Sequence, residues 1–248
     1  PALRMNSNRD DAVTETDEAS APGVRERRKR VVLVAGMHRS GTSALSGVCA
    51  LLGVEVPGEL FEPAFDNPKG FFENKRVVAL DDEILGLLGS QYDEPVSIAP
   101  ERFAAIEANG VFDRIAEVLA SELGEARLTL LKDPRICRLL PAYTSALRSL
   151  GRDPLIAQCL RHPVEVAKSL RKRNEFPDAH GLLLWLDHVL SAELHSRGFS
   201  RSFVFYDDLM EDWRTTTARL AQQLDVVWPR DPDRVQAQID EFLSTDLR

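Results

Sequence analysis

The strongest pattern in this sequence is the stretch 31–43, which reads VVLVAGMHRSGTS. Its first five residues are apolar and mostly β-branched, which is typical of a short buried strand in a parallel sheet. Gly36 and Gly41 then bracket a tight loop, and Thr42 and Ser43 open an apolar helical run that ends near residue 52. A strand, a glycine-bracketed loop and a helix start form a cradle for an anion, because backbone N–H groups and the positive end of the helix dipole point into the loop.

This loop nearly matches G-x-x-x-x-G-K-[ST], the phosphate-binding loop of many nucleotide-binding enzymes. Thr42 stands where that loop has its lysine, and Arg39 lies inside the loop. The sequence therefore predicts a loop that suits a phosphate-like ligand but not ordinary ATP or GTP chemistry. The alternative interpretation is a strand-to-helix turn whose glycines serve only the geometry of the chain.

Further short apolar strands are predicted at 127–131, 154–160 and 203–206, and helical segments separate them. This alternation predicts an α/β fold with three layers, a parallel sheet covered by helices on both faces. We expect the α/β domain to span residues 30–248 and the polar and basic segment 1–29 to be disordered.

Two local expectations accompany this fold. One amphipathic helix before the second strand is expected to carry a broad apolar face, formed by Phe103, Ile106, Ile115, Val118 and Leu119. After the fourth strand, Asp207 or Asp208 is expected to cap the next helix.

Basic side chains follow three of the predicted strands, namely Arg39, the pair Lys132 and Arg135, and Arg161. Ligands of such sheets bind beyond the carboxyl ends of the strands, so we expect these side chains to meet in one crevice. The formal net charge of the whole chain is −8, which argues against a nucleic-acid-binding protein that relies on a general basic surface. The sequence therefore predicts a local anion site in an acidic protein.

The cysteine pattern and the absence of long apolar runs bear on the compartment. Cys49, Cys137 and Cys159 are odd in number, widely spaced and set in apolar stretches, which favours buried free thiols in a reducing compartment. No apolar run approaches 18 residues, and the first residues are polar and acidic. These features predict a cytoplasmic protein.

With these motifs in place, the sequence resembles the sulfotransferases that use 3′-phosphoadenosine 5′-phosphosulfate (PAPS) as donor. Residues 36–43 resemble their 5′-phosphosulfate loop, in which a basic residue precedes Ser-Gly-Thr. Residues 161–169, RHPVEVAKS, resemble their 3′-phosphate motif, an arginine at a strand end with a serine eight residues later. The segments 67–73, 132–135 and 206–209 resemble further parts of bacterial members.

The resemblance implies a sulfotransferase-like, P-loop type of fold. It also implies transfer of a sulfuryl group from PAPS to an acceptor hydroxyl, with PAP as the product and no metal. Donor binding is assigned to the loop and to the second motif, namely Gly36, His38, Arg39, Ser40, Gly41, Thr42, Ser43, Arg161 and Ser169. We expect Arg161 and Ser169 to have no charged partner in the proposed site other than the donor.

The expected catalytic residues are Glu73, Lys132, Arg39 and Asp133. Arg39 and Lys132 would neutralise charge that develops on the leaving phosphate. Glu73 would accept the proton of the acceptor hydroxyl, and burial beside aromatic residues would raise its pKa. Asp133 is a second candidate for the base and His188 a more distant one. The alternative for Glu73 is a structural acid at the start of a helix.

Two departures from the family pattern are visible. Pro134 occupies the place where cytosolic hormone and phenol sulfotransferases have a catalytic histidine, and their glycine-rich Arg-Lys-Gly segment has no counterpart in the 248 residues. A nucleotide or sugar kinase and a non-catalytic nucleotide-binding domain are the alternative functions. The expected acceptor is a small molecule or a glycan, with a glycan or glycolipid hydroxyl implied by the family. No nucleic-acid partner is expected, and the oligomeric state is open.

Overall fold

The computed structural model of the chain describes residues 28–65 and 67–243. Almost all of the segment 1–29, for which the sequence predicts disorder, therefore lies outside the described residues. The described residues form an α/β structure around a four-stranded sheet in which all paired strands are parallel. The expected fold class is thus confirmed.

The sheet has the strand order β2-β1-β3-β4. Its strands are β1 (Arg30–Ala35), β2 (Leu128–Lys132), β3 (Asp153–Leu160) and β4 (Arg201–Phe205). In the middle of the sheet, Leu33 of β1 is aligned with Leu131 of β2 and Ile156 of β3. The ends of β1, β2 and β3 consequently lie next to one another at the carboxyl edge of the sheet.

Ten helices accompany the strands in the described part of the chain. They are α1 (Thr42–Leu51), α2 (Lys75–Leu87), α3 (Pro100–Ala108), α4 (Val111–Glu122), α5 (Ile136–Ser149), α6 (Pro163–Asn174), α7 (Asp178–Ser196), α8 (Tyr206–Glu211), α9 (Trp213–Leu224) and α10 (Pro232–Phe242).

Alternate side chains of β1 enter two separate cores, one on each face of the sheet. Val31 and Leu33 pack with apolar residues of helices α2 to α5. Val32 and Val34 pack with residues of α1, α9 and α10. Because both faces are covered, β1 is apolar along nearly its whole length.

The expected single amphipathic helix before β2 is wrong, because the structure has two helices there, α3 and α4. Gly110 separates them in a left-handed conformation with φ 75°, which glycine adopts at little cost. Phe103 and Ile106 of α3 and Ile115 of α4 still enter the same core. The apolar spacing therefore predicted correctly that these residues enter the core, but it did not predict the break between the two helices at Gly110.

The expected cap after β4 is also wrong. The strand ends at Phe205, Tyr206 already begins α8, and Asp207 and Asp208 lie in the first turn of that helix. The side chain that caps a helix in this region belongs to Asp212, which accepts a hydrogen bond from the backbone N–H of Thr215 in α9.

Cys49, Cys137 and Cys159 are buried free thiols, as the sequence predicts. Burial raises the pKa of Cys49 to about 12, which makes this thiol unreactive near neutral pH. No helix in the described part of the chain is both long and apolar enough to cross a membrane.

Candidate functional site

A cavity of about 320 Å³ opens at the carboxyl edge of the sheet. Among the described residues, five cationic side chains and one carboxylate, that of Glu73, line this cavity. The cationic residues are Arg39, Lys132, Arg161, Lys172 and Arg173. Loop residues that the sequence predicts as donor contacts also line it, namely His38, Gly41, Thr42 and Ser43. The predicted crevice therefore exists, and its lining is strongly cationic.

The loop between β1 and α1 contains two residues in the left-handed region, Arg39 with φ 69° and Gly41 with φ 85°. A non-glycine residue in this region is strained, and such strain is concentrated at functional sites. Gly41 precedes the first helical residue, and no side chain caps α1 through a hydrogen bond. The first backbone N–H groups of α1 are therefore not consumed by a side-chain cap.

Two further polar atoms of the loop are buried without a hydrogen bond to any described residue, Ser40 Oγ and His38 Nε2. Burial, and next the Arg173 guanidinium, hold the pKa of His38 well below its ordinary value. His38 is accordingly a neutral ring at pH 7. Unpaired buried polar atoms are rare in native proteins and indicate a place where a ligand or water is received.

Gly36 directly follows β1 and allows the loop to lie close to the sheet. A Cβ atom at this position would lie 2.6 Å from Thr42 Cγ2 and 2.9 Å from Cys159 Cβ. A larger residue would push the start of α1 away from β3. Gly36 thus acts through backbone position, since it does not itself line the cavity.

One group of lining residues contains three arginines and is called here the arginine end: Arg39, Arg161, Ser169, Lys172 and Arg173. Arg39 Nε donates to Ser169 Oγ at 2.8 Å, and Arg161 Nη1 donates to the backbone oxygen of Arg39 at 3.4 Å. The two predicted donor motifs are therefore in direct contact, through residue pairs that lie 130 and 122 positions apart in the sequence.

The expectation that Ser169 and Arg161 have no other charged partner is wrong for both residues. Ser169 accepts a hydrogen bond from Arg39 in the cavity, and Arg161 has an acid partner beside it. Its Nε donates to a carboxylate oxygen of Glu165 at 2.8 Å, one helical turn along α6. Its guanidinium carbon also lies 4.4 Å from the centre of the Tyr206 ring. Arg161 is thus held in position by an acid and an aromatic ring before any ligand arrives.

A second group of lining residues is called here the lysine end: Ser43, Asn67, Phe71, Glu73 and Lys132. Lys132 Nζ forms an ion pair with Glu73 and lies 3.4 Å from Ser43 Oγ. Asn67 donates to the same Ser43 oxygen at 3.1 Å. Lys132 is 4% exposed and Glu73 is 9% exposed, so this pair is almost fully buried.

The environment of Glu73 changes its acidity in the expected direction. Burial raises the pKa of this carboxyl above its ordinary value, Lys132 opposes the rise, and Asp133 adds to it. Glu73 follows Phe72, whose φ of 57° is unusual for a non-glycine residue. Asn74 rather than Glu73 caps α2, because its side chain accepts hydrogen bonds from two backbone N–H groups of that helix.

Three other candidates lie outside this cavity. Asp133 is fully buried and accepts hydrogen bonds from the backbone N–H and the guanidinium of Arg135. Arg135 also pairs with Asp82, so the expectation that Arg135 and Asp133 reach the crevice is wrong. His188 is fully buried, its Nδ1 lies 2.9 Å from the Leu184 oxygen, and burial lowers its pKa to about 3.

Four polar residues of the cavity were not predicted as site residues from the sequence: Asn67, Lys172, Arg173 and Tyr206. Asn67 and Tyr206 lie in segments that carry the family resemblance, and this could have drawn attention to them. Arg173 follows Ser169 by four residues, which places both on one face of a helix. That spacing was the available signal for the cations at the end of α6.

Within residues 28–65 and 67–243, no group of three or more His, Cys, Asp or Glu side chains is arranged to hold a metal ion. Apart from the Glu73 carboxylate, the polar groups of the cavity are mainly hydrogen-bond donors, from guanidinium, ammonium, hydroxyl and backbone N–H groups. Such a set binds oxyanions.

No protein-family model and no curated protein sequence matches the chain. Three solved structures of similar fold are sulfotransferases, the family that the sequence resembles. The sulfotransferase domain of the Synechococcus PCC 7002 olefin synthase is 19% identical, with a TM-score of 0.49 over 88% of this chain and 90% of that domain.

The second structure is the sulfotransferase domain of the curacin biosynthetic pathway, which is 15% identical with a TM-score of 0.43, over 84% of this chain and 77% of that one. The third is STF1 of Mycobacterium tuberculosis H37Rv, which is 15% identical with a TM-score of 0.47. That match covers 89% of this chain and 78% of the STF1 chain. At such identities and TM-scores, the function has to be judged from the residues of this chain.

Proposed function

We propose that the protein is a sulfotransferase that moves a sulfuryl group from PAPS to an acceptor hydroxyl. The observation that carries the proposal is the contact between the two predicted donor motifs. Arg39 of the glycine loop, Ser169 of α6 and Arg161 after β3 are joined by hydrogen bonds at one end of a cationic cavity. A donor with a 5′-phosphosulfate and a separate 3′-phosphate requires two neighbouring anion sites, one for each group, and the two motifs would each provide one.

Both anion sites are proposed to be formed by residues that the structure describes. The 5′-phosphosulfate would be held by the uncapped first turn of α1 together with Ser40, Thr42 and Ser43. The 3′-phosphate would be held by Arg161 and Ser169 at the arginine end. A phosphate ester carries roughly −1.5 to −2 charge near pH 7, and Lys172 and Arg173 add positive charge where that group would lie.

Lys132 is proposed to connect donor and acceptor. Its Nζ lies 3.4 Å from Ser43 Oγ of the loop and is paired with Glu73 on its other side. In the transfer step, the acceptor oxygen forms a bond to sulfur while the bond between sulfur and the bridging oxygen breaks. The electron pair stays on the bridging oxygen, and the Lys132 ammonium stabilises this developing charge.

Glu73 is the proposed base. It is the only carboxylate among the described residues that line the cavity, and the proton of the acceptor hydroxyl would move to one of its oxygens. Its raised pKa brings the group closer to the pH at which it works, because a stronger base accepts the proton more readily. Asp133 is the weaker candidate, since its oxygens are occupied by Arg135.

The acceptor is proposed to be a hydroxyl of a glycan or glycolipid, on the family resemblance alone. A cytoplasmic location likewise stays a prediction of the sequence.

Binding of PAP compared with 5′-AMP tests the donor assignment. Calorimetry should show that PAP binds more tightly, by about 10-fold to 100-fold, because the 3′-phosphate adds charge-assisted contacts worth roughly 1.5–3 kcal/mol. Equal affinities for PAP and 5′-AMP would contradict the assignment of a 3′-phosphate site and therefore the proposed donor.

Transfer of label from ³⁵S-labelled PAPS to a panel of glycan, glycolipid and small-molecule hydroxyls tests the reaction itself. Activity should survive EDTA, because Arg39 and Lys132 supply the charge that magnesium supplies to a kinase. A protein that binds ATP with magnesium in preference to PAP would instead be a kinase. A protein that binds PAP yet transfers no label to any acceptor would be a non-catalytic nucleotide-binding domain.

A further inference from the structure

Helix α7 carries an apolar surface that faces away from the rest of the described protein. From residue 182 to residue 194, every exposed residue of this helix is a leucine. The exposed fractions range from 37% at Leu182 to 56% at Leu190. We call this set the leucine face: Leu182, Leu183, Leu186, Leu190 and Leu194.

The leucine face is continuous along the helix. At 100° per residue its five members fall within roughly 120° of arc, and they extend over about 18 Å of helix. The opposite side of α7 is already used, because Leu184 and Ala192 are fully buried against the protein. A contiguous apolar surface of this kind on a globular protein commonly marks an interaction site.

Neither a membrane nor the N-terminal segment matches this surface well. Helices that lie in a membrane interface carry Lys or Arg beside their apolar face, whereas the exposed positions from 182 to 194 include neither, and the whole chain has a net charge of −8. Residues 1–27 contain few large apolar side chains with which to cover five leucines, namely Leu3, Met5, Val13 and Val24.

We propose that the leucine face binds the leucine face of a second copy of this chain, with the two α7 helices antiparallel. Leu182, Leu186, Leu190 and Leu194 repeat every four residues. In an antiparallel pair centred on residue 188, Leu182 therefore meets Leu194 of the partner subunit, and Leu186 meets the partner's Leu190. A two-fold interface requires a surface that is complementary to itself in this way.

The charges at the ends of the leucine face favour the same arrangement. Asp178 lies at the start of α7 and pairs with Arg171, and Arg197 directly follows the end of α7 and pairs with Glu193. Both side chains are still about half exposed or more, so each can also meet a charge of a second copy. An antiparallel pair brings Asp178 of each copy close to the partner's Arg197, with opposite charges facing each other. A parallel pair would set Asp178 beside the partner's Asp178, which is unfavourable.

Sedimentation equilibrium of the full chain over a range of concentrations tests the proposal. The wild type should show a reversible monomer–dimer equilibrium, and the double variant Leu186→Gln, Leu190→Gln should raise the dissociation constant by roughly 10-fold or more. Leu87→Gln is the matched control. Leu87 is a leucine at the end of α2 with 54% exposure, outside the leucine face, and its replacement should leave the equilibrium unchanged.

Charge reversal tests the orientation of the pair. Asp178→Arg alone and Arg197→Glu alone should each weaken the dimer, and the two changes together should restore it, since the opposite charges then meet again. A wild type that stays monomeric at all concentrations would overturn the proposal, as would a dimer that survives both leucine changes. A monomer that binds vesicles of phosphatidylcholine and phosphatidylserine through these leucines would also overturn it.

Discussion

The two ends of the cavity differ in how they are held before a ligand binds. At the lysine end, Lys132 and Glu73 are almost fully buried and satisfy each other. At the arginine end, the Arg161 side chain is 18% exposed and its partner Glu165 is 49% exposed, so water reaches this pair. The ion pair of the lysine end is therefore shielded from solvent, and the ion pair of the arginine end is accessible to it.

Under the proposed function, this difference gives the two ends different tasks. A buried ion pair is costly to break but holds its atoms in one geometry, which suits the reacting groups. An exposed pair contributes little to stability and can exchange one acid for another at little cost. We therefore expect changes at the lysine end to lower turnover, and changes at the arginine end to lower donor affinity.

The largest effect is expected for Glu73→Gln, which keeps the size of the side chain but removes its ability to accept a proton. Turnover should fall by about 10²-fold or more, and PAP affinity should stay near that of the wild type. The wild-type rate should fall as the pH drops through the pKa of Glu73, which lies above the ordinary 4.5, because the protonated acid is no base. Single-turnover rates across pH, with and without the substitution, measure both effects.

Asp133→Asn is the control for that experiment. Because Asp133 is buried against Arg135, outside the cavity, this change should lower the thermal stability and leave the transfer rate of the folded protein largely intact. A normal rate for Glu73→Gln beside a folded but inactive Asp133→Asn protein would assign the base to Asp133.

A second, smaller effect is expected for Arg161→Gln at the arginine end. Loss of a charge-assisted contact worth roughly 1.5–3 kcal/mol should weaken PAP binding by about 10-fold to 100-fold and leave 5′-AMP binding unchanged. Glu165→Gln removes the internal partner of Arg161 and should not weaken PAP binding. If Arg161→Gln weakened PAP and 5′-AMP equally, the side chain would not contact a 3′-phosphate.

The smallest effect is expected for Lys172→Ala, because this lysine lines the cavity but is exposed. PAP affinity should fall by about 2-fold to 5-fold, as for exposed ion pairs, and the difference should shrink as salt is added. Arg171→Ala is the matched control, since this neighbouring cation pairs with Asp178 and does not line the cavity. If both variants lost the same PAP affinity, the loss would reflect the total positive charge of α6 and not a contact between Lys172 and the ligand.

The sequence predicted those features that depend on local pattern. The apolar run of β1, the two loop glycines and the strand-end positions of Lys132 and Arg161 were sufficient to predict a parallel sheet with a cationic cavity at its carboxyl edge. These features are readable because a buried parallel strand and the turn after it each have a strong local signature.

The partners of the charged side chains could not be predicted in the same way. Arg135 also follows a strand, yet Asp82 and Asp133 bind it away from the cavity. Arg161 was expected without an acid partner, although Glu165 lies four residues later, a spacing that brings two side chains together on a helix. The break at Gly110 was missed because a single glycine does not always end a helix.

The long separation in sequence between the contacts of the cavity has a consequence for folding. Lys132 meets Glu73 across 59 residues, and Arg39 meets Ser169 across 130 residues. Neither contact can form within one helix or one strand pair, so both require the sheet and helices α1, α2 and α6 to be assembled. A ligand of the whole cavity would therefore bind only the folded chain and raise its unfolding temperature with concentration. Thermal unfolding can thus be used to search for ligands before any acceptor is known.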